Sequence, residues 1–278
     1  MHHPTAAYAR RLNFRSAALL VGLSLGAALL GWGIFDLEGA VAVLAFSFAL
    51  ALIRRGGNPD LPGTQALRPW QAPGLYTLVE SLARRAGLDR LPEIRIVPGG
   101  QTNAAATLRG RTPVLVVTEA LLARMDGRRL GAVLAHEMAH LAHRDLWLFR
   151  IALTLQAVTT FLGFFILFLS LFLAGTDPLT TVLWALVAAA LPVLSRWMVA
   201  ALSRTREFAA DLGAAQLTGD PAALADALEI IEYRPRTWWD WVVGRRSPVP
   251  TDPAADAFRT HPPTMERVRR LDLLAGWT

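Results

Sequence analysis

Apolar positions fall along this chain in two different ways. Four stretches contain no charged residue at all, 16–35, 39–53, 151–176 and 178–195, and within each the hydrophobic character is nearly continuous. At a helical rise of about 1.5 Å per residue the first run reaches roughly 30 Å, the third is long enough to tilt, and the fourth is adequate, so each is predicted to cross a bilayer. The second reaches only about 22 Å, and needs Leu37 and the stems of Arg54 and Arg55 to complete a crossing. Short polar turns at 36–38 and at Asp177 divide the runs into two hairpins. A buried core hairpin is the competing reading, and the regular pairing of the runs argues against it.

Elsewhere the pattern is that of a water-soluble body. Leu75, Leu78, Val79 and Leu82 recur at helical spacing over 73–87, closed by Gly87. The period then shortens: 93–98 (EIRIVP), 103–108 (NAAATL) and 113–118 (PVLVVT) read as extended runs separated by Gly99, Gly100 and Gly110, and predict a small antiparallel sheet. Helical spacing resumes at Glu119, breaks at Asp126 and Gly127, and predicts a second helix over 128–144. Beyond the fourth run, 202–217 and 221–233 read as two helices around a turn ending at Pro221, and 263–274 as a last basic helix. The predicted fold is mainly α, of the α+β class, with four transmembrane helices. Its parts are an N-terminal tail and hairpin (1–55), a first half of the soluble domain (56–150), a second hairpin (151–200) and a second half (201–278). For a single site to form, the two halves must fold together.

Composition sharpens the division. The 278 residues are 53% hydrophobic and 18% charged, with mean hydropathy +0.35, yet all the charges sit outside the four runs, where their density is that of an ordinary soluble domain. Every one of the 28 basic residues is Arg, and neither Lys nor Cys occurs. That excludes a disulfide framework, a Cys nucleophile or Cys zinc cluster, a P-loop lysine and a Schiff-base lysine. A net charge of +6 and a pI near 11 would suit nucleic acid or an anionic membrane. The arginines decide between them. Arg10, Arg11 and Arg15 precede the first run, Arg54 and Arg55 follow the second, Arg150 precedes the third, and Arg204 and Arg206 follow the fourth, with Arg196 at the membrane edge. The two hairpin turns carry none. By the positive-inside rule, both termini and the soluble body of this multi-pass protein are expected on the cytoplasmic side of the membrane, and no nucleic-acid partner is needed. The first apolar stretch is too long for a cleaved signal peptide and lacks a small-x-small site, so it is read as an anchor.

Residues 136–140 read His-Glu-Met-Ala-His. On a helix, histidines at i and i+4 share a face about 6 Å apart, near enough for both imidazoles to reach one Zn²⁺, while the intervening Glu137 can address water activated there. A polar helix face without an ion is the plainer alternative. A tetrahedral catalytic site needs a third protein ligand and an open position. His143 shares the face but lies about 10 Å along the axis from His136, too far for one ion. The better candidate is Glu207, in SRTREFAAD. With Asp211 it forms an i, i+4 pair in which one acid can bind metal and the other orient an imidazole, although two acids so spaced also suit a solvated face.

Four separated segments, NAAAT with TPVLVVTEALLARMDGRRLGAVLAHEMAH, HEMAHLAHRD, SRTREFAADLGAAQLTGDPAALADAL and THPPTMERVRRL, together resemble the HtpX-type membrane zinc metallopeptidases, relatives of the CaaX prenyl proteases, over about residues 70–278. The resemblance implies a zincin-like cytoplasmic metallopeptidase domain and one Zn²⁺ per chain held by His136, His140 and Glu207. It further implies catalysis by Glu137, an outer role for Asp211, and His261 and Arg267 near the site as oxyanion stabilisers or ties from the tail to the metal helix. Taken without the resemblance, His261 before two prolines would be a turn residue and Arg267 a solvated charge. Asn103-Ala104-Ala105-Ala106 stands where the family has Asn-Ala-Phe-Ala, so the substrate strand is expected along Asn103, Ala104 and Ala105 without the aromatic. The implied activity is cleavage of misfolded or damaged membrane proteins in a stress response, with unfolded polypeptides and the bilayer as partners, and the implied location is the plasma (bacterial inner) membrane.

Three other functions compete. An intramembrane site-2-type protease would need an acid inside a later membrane run, and none is present. A CaaX-type prenyl-protein peptidase would have more crossings around a large chamber. A non-catalytic metal-binding membrane adaptor would not need Glu137. Trp238, Trp239 and Trp241, with Arg245 and Arg246, read either as an interfacial belt on the inner leaflet or as ordinary packing of a surface loop.

Overall fold

The computed structural model describes residues 4–53, 63–100, 102–173, 178–232 and 262–276, with side chains described up to 170 in the third segment, and the chain is mostly helical around one small sheet. Among the described residues three helices are long and apolar enough to cross a membrane: α1 (Pro4–Ile53), α5 (Asp145–Leu173) and α6 (Pro178–Thr218). α1 holds the first two apolar runs. Its backbone leaves helical geometry at Phe35 (φ −142°, ψ 38°) and Asp36 (φ 50°, ψ −140°), and the two arms double back. A Cβ added to Gly39 would fall on the carbonyl oxygen of Gly31, although a straight helix would hold these residues about 12 Å apart.

Around these helices many large apolar side chains face outward: Val21, Leu25, Phe46, Phe161, Phe164 and Leu186 are exposed. Leu23, Leu155 and Leu202 pack inward with Ala27 and Ala152, and glycines make the closest approaches. Gly163 of α5 abuts the Ala188 carbonyl and the Pro192 ring of α6, and Gly33 of α1 abuts the Trp184 ring. With lipid as the solvent, an outward apolar side chain carries no penalty, and close backbone approach adds to the packing of the inward ones.

The body begins with β1 (Gln65–Ala66) and α2 (Pro73–Arg85), followed by β2 (Glu93–Val97), β3 (Ala104–Arg109), β4 (Thr112–Thr118) and α3 (Glu119–Arg124). The sheet order is β1-β2-β4-β3. The expected antiparallel sheet is instead mixed: β3 and β4 form an antiparallel hairpin through Gly110 (φ 64°), and this hairpin tucks β4 against β2 in parallel. The reason is burial. Val114, Leu115 and Val117 of β4 are almost wholly buried, whereas no residue of β3 is, so the more apolar strand takes the centre and β3 the edge. β1, two residues long, is too short for any periodicity to announce.

Next come α4 (Gly127–Ala142), α7 (Pro221–Glu232) and α8 (Thr264–Ala275). The helix expected at 202–217 is not separate. It continues the fourth apolar run as the 41-residue α6, which passes Pro192 without ending. One core joins both halves of the body: Val79 and Leu82 of α2, Ile94 and Leu115 of the sheet, Leu134 and Met138 of α4, Leu212 of α6, Leu224 of α7 and Leu271 of α8. Burial of this shared apolar set holds α4, α6 and α8 in register beside the edge strand β3.

Candidate metal centre

α4 starts at Asp126, whose carboxylate caps the helix by accepting the Arg129 N–H at 2.8 Å. Its buried stripe, including Leu134 and Met138, fixes the rotation of the helix and turns His136 and His140 to the side facing α6. The two imidazoles meet edge-on, with centroids 4.7 Å apart and planes at 87°, and their Nε2 atoms lie 3.1 Å apart. From α6, Glu207 brings Oε2 to 3.5 Å of His136 Nε2 and Oε1 to 3.8 Å of His140 Nε2. Among the described residues, these three form the one group of this kind, with one ligand atom from each within 4.8 Å of the others. Two imidazole nitrogens and a carboxylate turned to one point could hold a divalent cation.

The far nitrogen of each ring faces a carboxylate. His136 Nδ1 lies 3.0 Å from Asp211 Oδ1, and His140 Nδ1 lies 2.8 Å from Asp145 Oδ2. Each contact favours the tautomer with its proton on Nδ1, leaving the Nε2 lone pair for the shared point. Arg267, from α8, donates to both oxygens of Asp211, through Nε at 2.9 Å and Nη2 at 2.6 Å, and its Nη1 lies 3.2 Å from Glu207 Oε2. The fork fixes both acids and offsets their charge where water cannot. Burial by itself pulls His136 down, but hydrogen bonds to Asp211 and Glu207 outweigh it and push the imidazole up to about 10. Arg267, though buried, is raised by the adjacent Asp211 and Glu207 and stays charged.

Glu137, one residue on from His136, points along a different direction of the helix surface. Its Oε2 accepts the backbone N–H of Ala106 in β3 at 2.7 Å. The parity of β3 is therefore set: the carbonyl of Asn103 accepts from Thr118 N–H at 3.1 Å, so 103 and 105 turn their backbone groups to β4, and Ala104 and Ala106 turn theirs outward. The outward edge borders a cavity of about 500 Å³ lined by Asn103, Ala104, Ala105, His136, Glu137 and Glu207, with Phe149, Leu224, Leu228 and Ile231 on its apolar side.

The structure thus brings His136, Glu137, His140, Glu207, Asp211 and Arg267 together and sets Asn103, Ala104 and Ala105 on the cavity wall. His143 caps the end of α4 and lies outside the group. His261 and the segment with Trp238, Trp239, Trp241, Arg245 and Arg246 lie outside the described residues. Sequence reasoning passed over Asp145, Arg206 behind it, and the Ala106 amide. An acid five residues beyond the second histidine was the available signal for Asp145; a backbone donor leaves no trace in composition.

The chain is similar to known proteins over most of its length. Residues 69–275 match peptidase family M48. A protein described as Protease HtpX homolog from Acaryochloris marina is 36% identical over 228 residues, covering 74% of this chain and 74% of its own length. One so described from Salinibacter ruber is 32% identical, covering 95% of this chain and 98% of its own. The crystal structure of S. mikatae Ste24p superposes with a TM-score of 0.58 at 21% identity, over 90% of this chain and 62% of that one, which is a likeness of fold.

Proposed function

The chain belongs to peptidase family M48, a membrane metallopeptidase related to the HtpX proteases, and on that premise we propose that it is a zinc-dependent endopeptidase acting on unfolded or damaged proteins at the membrane surface. The carrying observation is the convergence of His136, His140 and Glu207 on one point beside the Glu137 carboxylate. The donor set suits zinc: the 3.1 Å between the two Nε2 atoms approaches the edge of about 3.3 Å of a tetrahedron with Zn–N bonds of about 2.0–2.1 Å. His136, His140 and Glu207 would hold the ion, one per chain, and Asp211 would fix the ring of His136. When bound, zinc supplies Lewis acidity that polarises a carbonyl and makes water more acidic.

The protein's own groups perform the remaining steps. Glu137 takes a proton from the attacking water onto its carboxylate and returns it to the leaving amine. Its hydrogen bond to Ala106 holds it at the sheet edge, where a substrate in extended form pairs with the outward N–H and C=O of Ala104. Backbone pairing of this kind accepts many sequences, as a protease of damaged proteins requires. The Ala105 backbone faces β4, so Ala105 contributes its side chain alone and Asn103 borders the strand's start. The apolar wall at Phe149, Leu224 and Leu228 receives hydrophobic side chains. The Arg267 guanidinium is committed to Asp211 and Glu207, which supports its role as the tie from the tail to the metal helix, and His261 is left as the side chain to offset negative charge developing on the carbonyl oxygen.

The doubling back of α1 at Asp36, with α5 and α6, supports four crossings in two hairpins. The arginine distribution supports both termini and the metal centre on the cytoplasmic side, and the likeness to bacterial HtpX homologues supports the plasma (bacterial inner) membrane. Metal analysis of detergent-purified protein, with casein cleavage by wild type and Glu137→Gln, tests the assignment. The variant should keep one zinc and lose turnover by a factor of about 10² or more; full cleavage by it would sink the proposal.

A further inference from the structure

His140 is held differently from His136. Its orienting carboxylate, Asp145, belongs to the first turn of α5, an apolar helix of the membrane region, and not to the helices of the soluble core. The route is short. α4 ends at His143, Arg144 takes a left-handed conformation (φ 57°), and the chain re-enters a helix at once, which sets Asp145 Oδ2 2.8 Å from His140 Nδ1. The other oxygen of Asp145 accepts from Arg206 Nε at 2.6 Å, and both residues are almost wholly buried, at 1% and 4% exposure. Arg206 is on α6, adjacent in sequence to Glu207. Its Nη1 in turn donates to Asn13 Oδ1 of α1 at 3.2 Å. A single polar chain, Asn13–Arg206–Asp145–His140, therefore draws one residue from each of the three long apolar helices and ends on an imidazole that faces the cation point.

We propose that Asp145, held by Arg206, is the positioning residue for His140, and that the packing of the membrane helices thereby sets the strength of the metal centre. This rests on the reading of His136, His140 and Glu207 as zinc ligands. Two arguments carry it. A carboxylate at Nδ1 accepts the N–H of that nitrogen and turns Nε2 to the shared point. A buried carboxylate with a buried guanidinium behind it has one orientation, so the ring it holds has one orientation too. Asp145 needs no contact with substrate for this role. Asn13 adds the tie to α1: displacing that helix loosens Arg206, and through it Asp145.

The test is zinc affinity, measured by chelator competition on the full-length protein in detergent, together with the visible spectrum of the Co²⁺-substituted form. Asp145→Asn should weaken zinc binding by about 10–100-fold, and shift the Co²⁺ bands. Because this variant strands a buried arginine, the pair Asp145→Asn with Arg206→Gln, which removes both charges together, is measured beside it and should show the same loss. Asp126→Asn, at the far end of α4, should bind zinc as wild type does. Wild-type affinity and an unshifted Co²⁺ spectrum in a folded double variant would overturn the proposal while leaving the ligand assignment intact. Failure of the wild-type protein itself to bind zinc would remove the reading on which the proposal depends.

Discussion

Individual side chains at the centre divide by how far their partners lie along the chain. The two histidines and Glu137 were legible because helical spacing alone places i and i+4 on one face. Glu207 and Asp211 were legible as a pair, but whether they face water or metal depends on Arg267, 56 residues beyond Asp211, which reaches both from α8. That ion-pair cluster carries a stability prediction. Arg267→Ala leaves two buried carboxylates without their cation and should cost about 3–5 kcal/mol, seen as a lower unfolding temperature. The loss should be smaller in zinc-loaded than in zinc-free protein, since the ion offsets the same negative charge. Equal losses in both forms would show that Arg267 acts elsewhere. Arg267→Lys should recover only part of the stability, because an ammonium cannot make the two parallel bonds to Asp211.

At the scale of elements, propensity and periodicity placed α2, α4, α7, α8 and three of the strands to within a residue or two, since each is an amphipathic stretch with its own stop signals. They could not say which strand takes the centre, or that the helix bearing Glu207 continues the fourth run, because both depend on what packs alongside. Two contacts between elements make predictions. Gly163 touches the Ala188 carbonyl and Pro192, so Gly163→Leu should prise α5 from α6 and lower thermal stability in detergent, whereas Gly74→Ala, facing open space, should change little. Asp220 caps α7 by accepting the Ala223 N–H at 3.0 Å and pairs with Arg128 of α4 at 2.6 Å. Asp220→Ala should therefore cost about 1 kcal/mol at neutral pH. The hydrogen bond from Arg128 holds the Asp220 carboxyl below its ordinary value. Its folded-state pKa is depressed, so its contribution is complete above about pH 4 and is lost as the pH falls through the folded value. Acid-unfolding curves of wild type and variant should converge there; a constant gap down to the lowest pH would remove the ion pair from the account.

For the whole molecule, the long apolar helices α5 and α6 interrupt the body in sequence but not in space, because residues before α5 and residues from the end of α6 onward share one core. Zinc removal should then abolish cleavage and lower the unfolding temperature while leaving far-UV circular dichroism nearly unchanged, since that core forms without the ion. Loss of helix on chelation would contradict this. The absence of cysteine makes sidedness directly measurable: Glu38→Cys and Arg90→Cys in membrane vesicles should react with an impermeant maleimide from opposite faces. The sequence by itself determined the long uncharged runs and the helix that carries His136, Glu137 and His140 on adjoining positions, because run length and i, i+4 spacing are local properties that one stretch of chain carries alone; that they belong to a membrane metallopeptidase came from resemblance across four separated segments. Only the tertiary structure decided the mixed sheet, the edge position of β3, the fork of Arg267 and the path from Asn13 through Arg206 and Asp145 to His140. Each depends on partners far apart in sequence, brought together by burial of a core and by lipid-facing helices that have no such partners within their own segments.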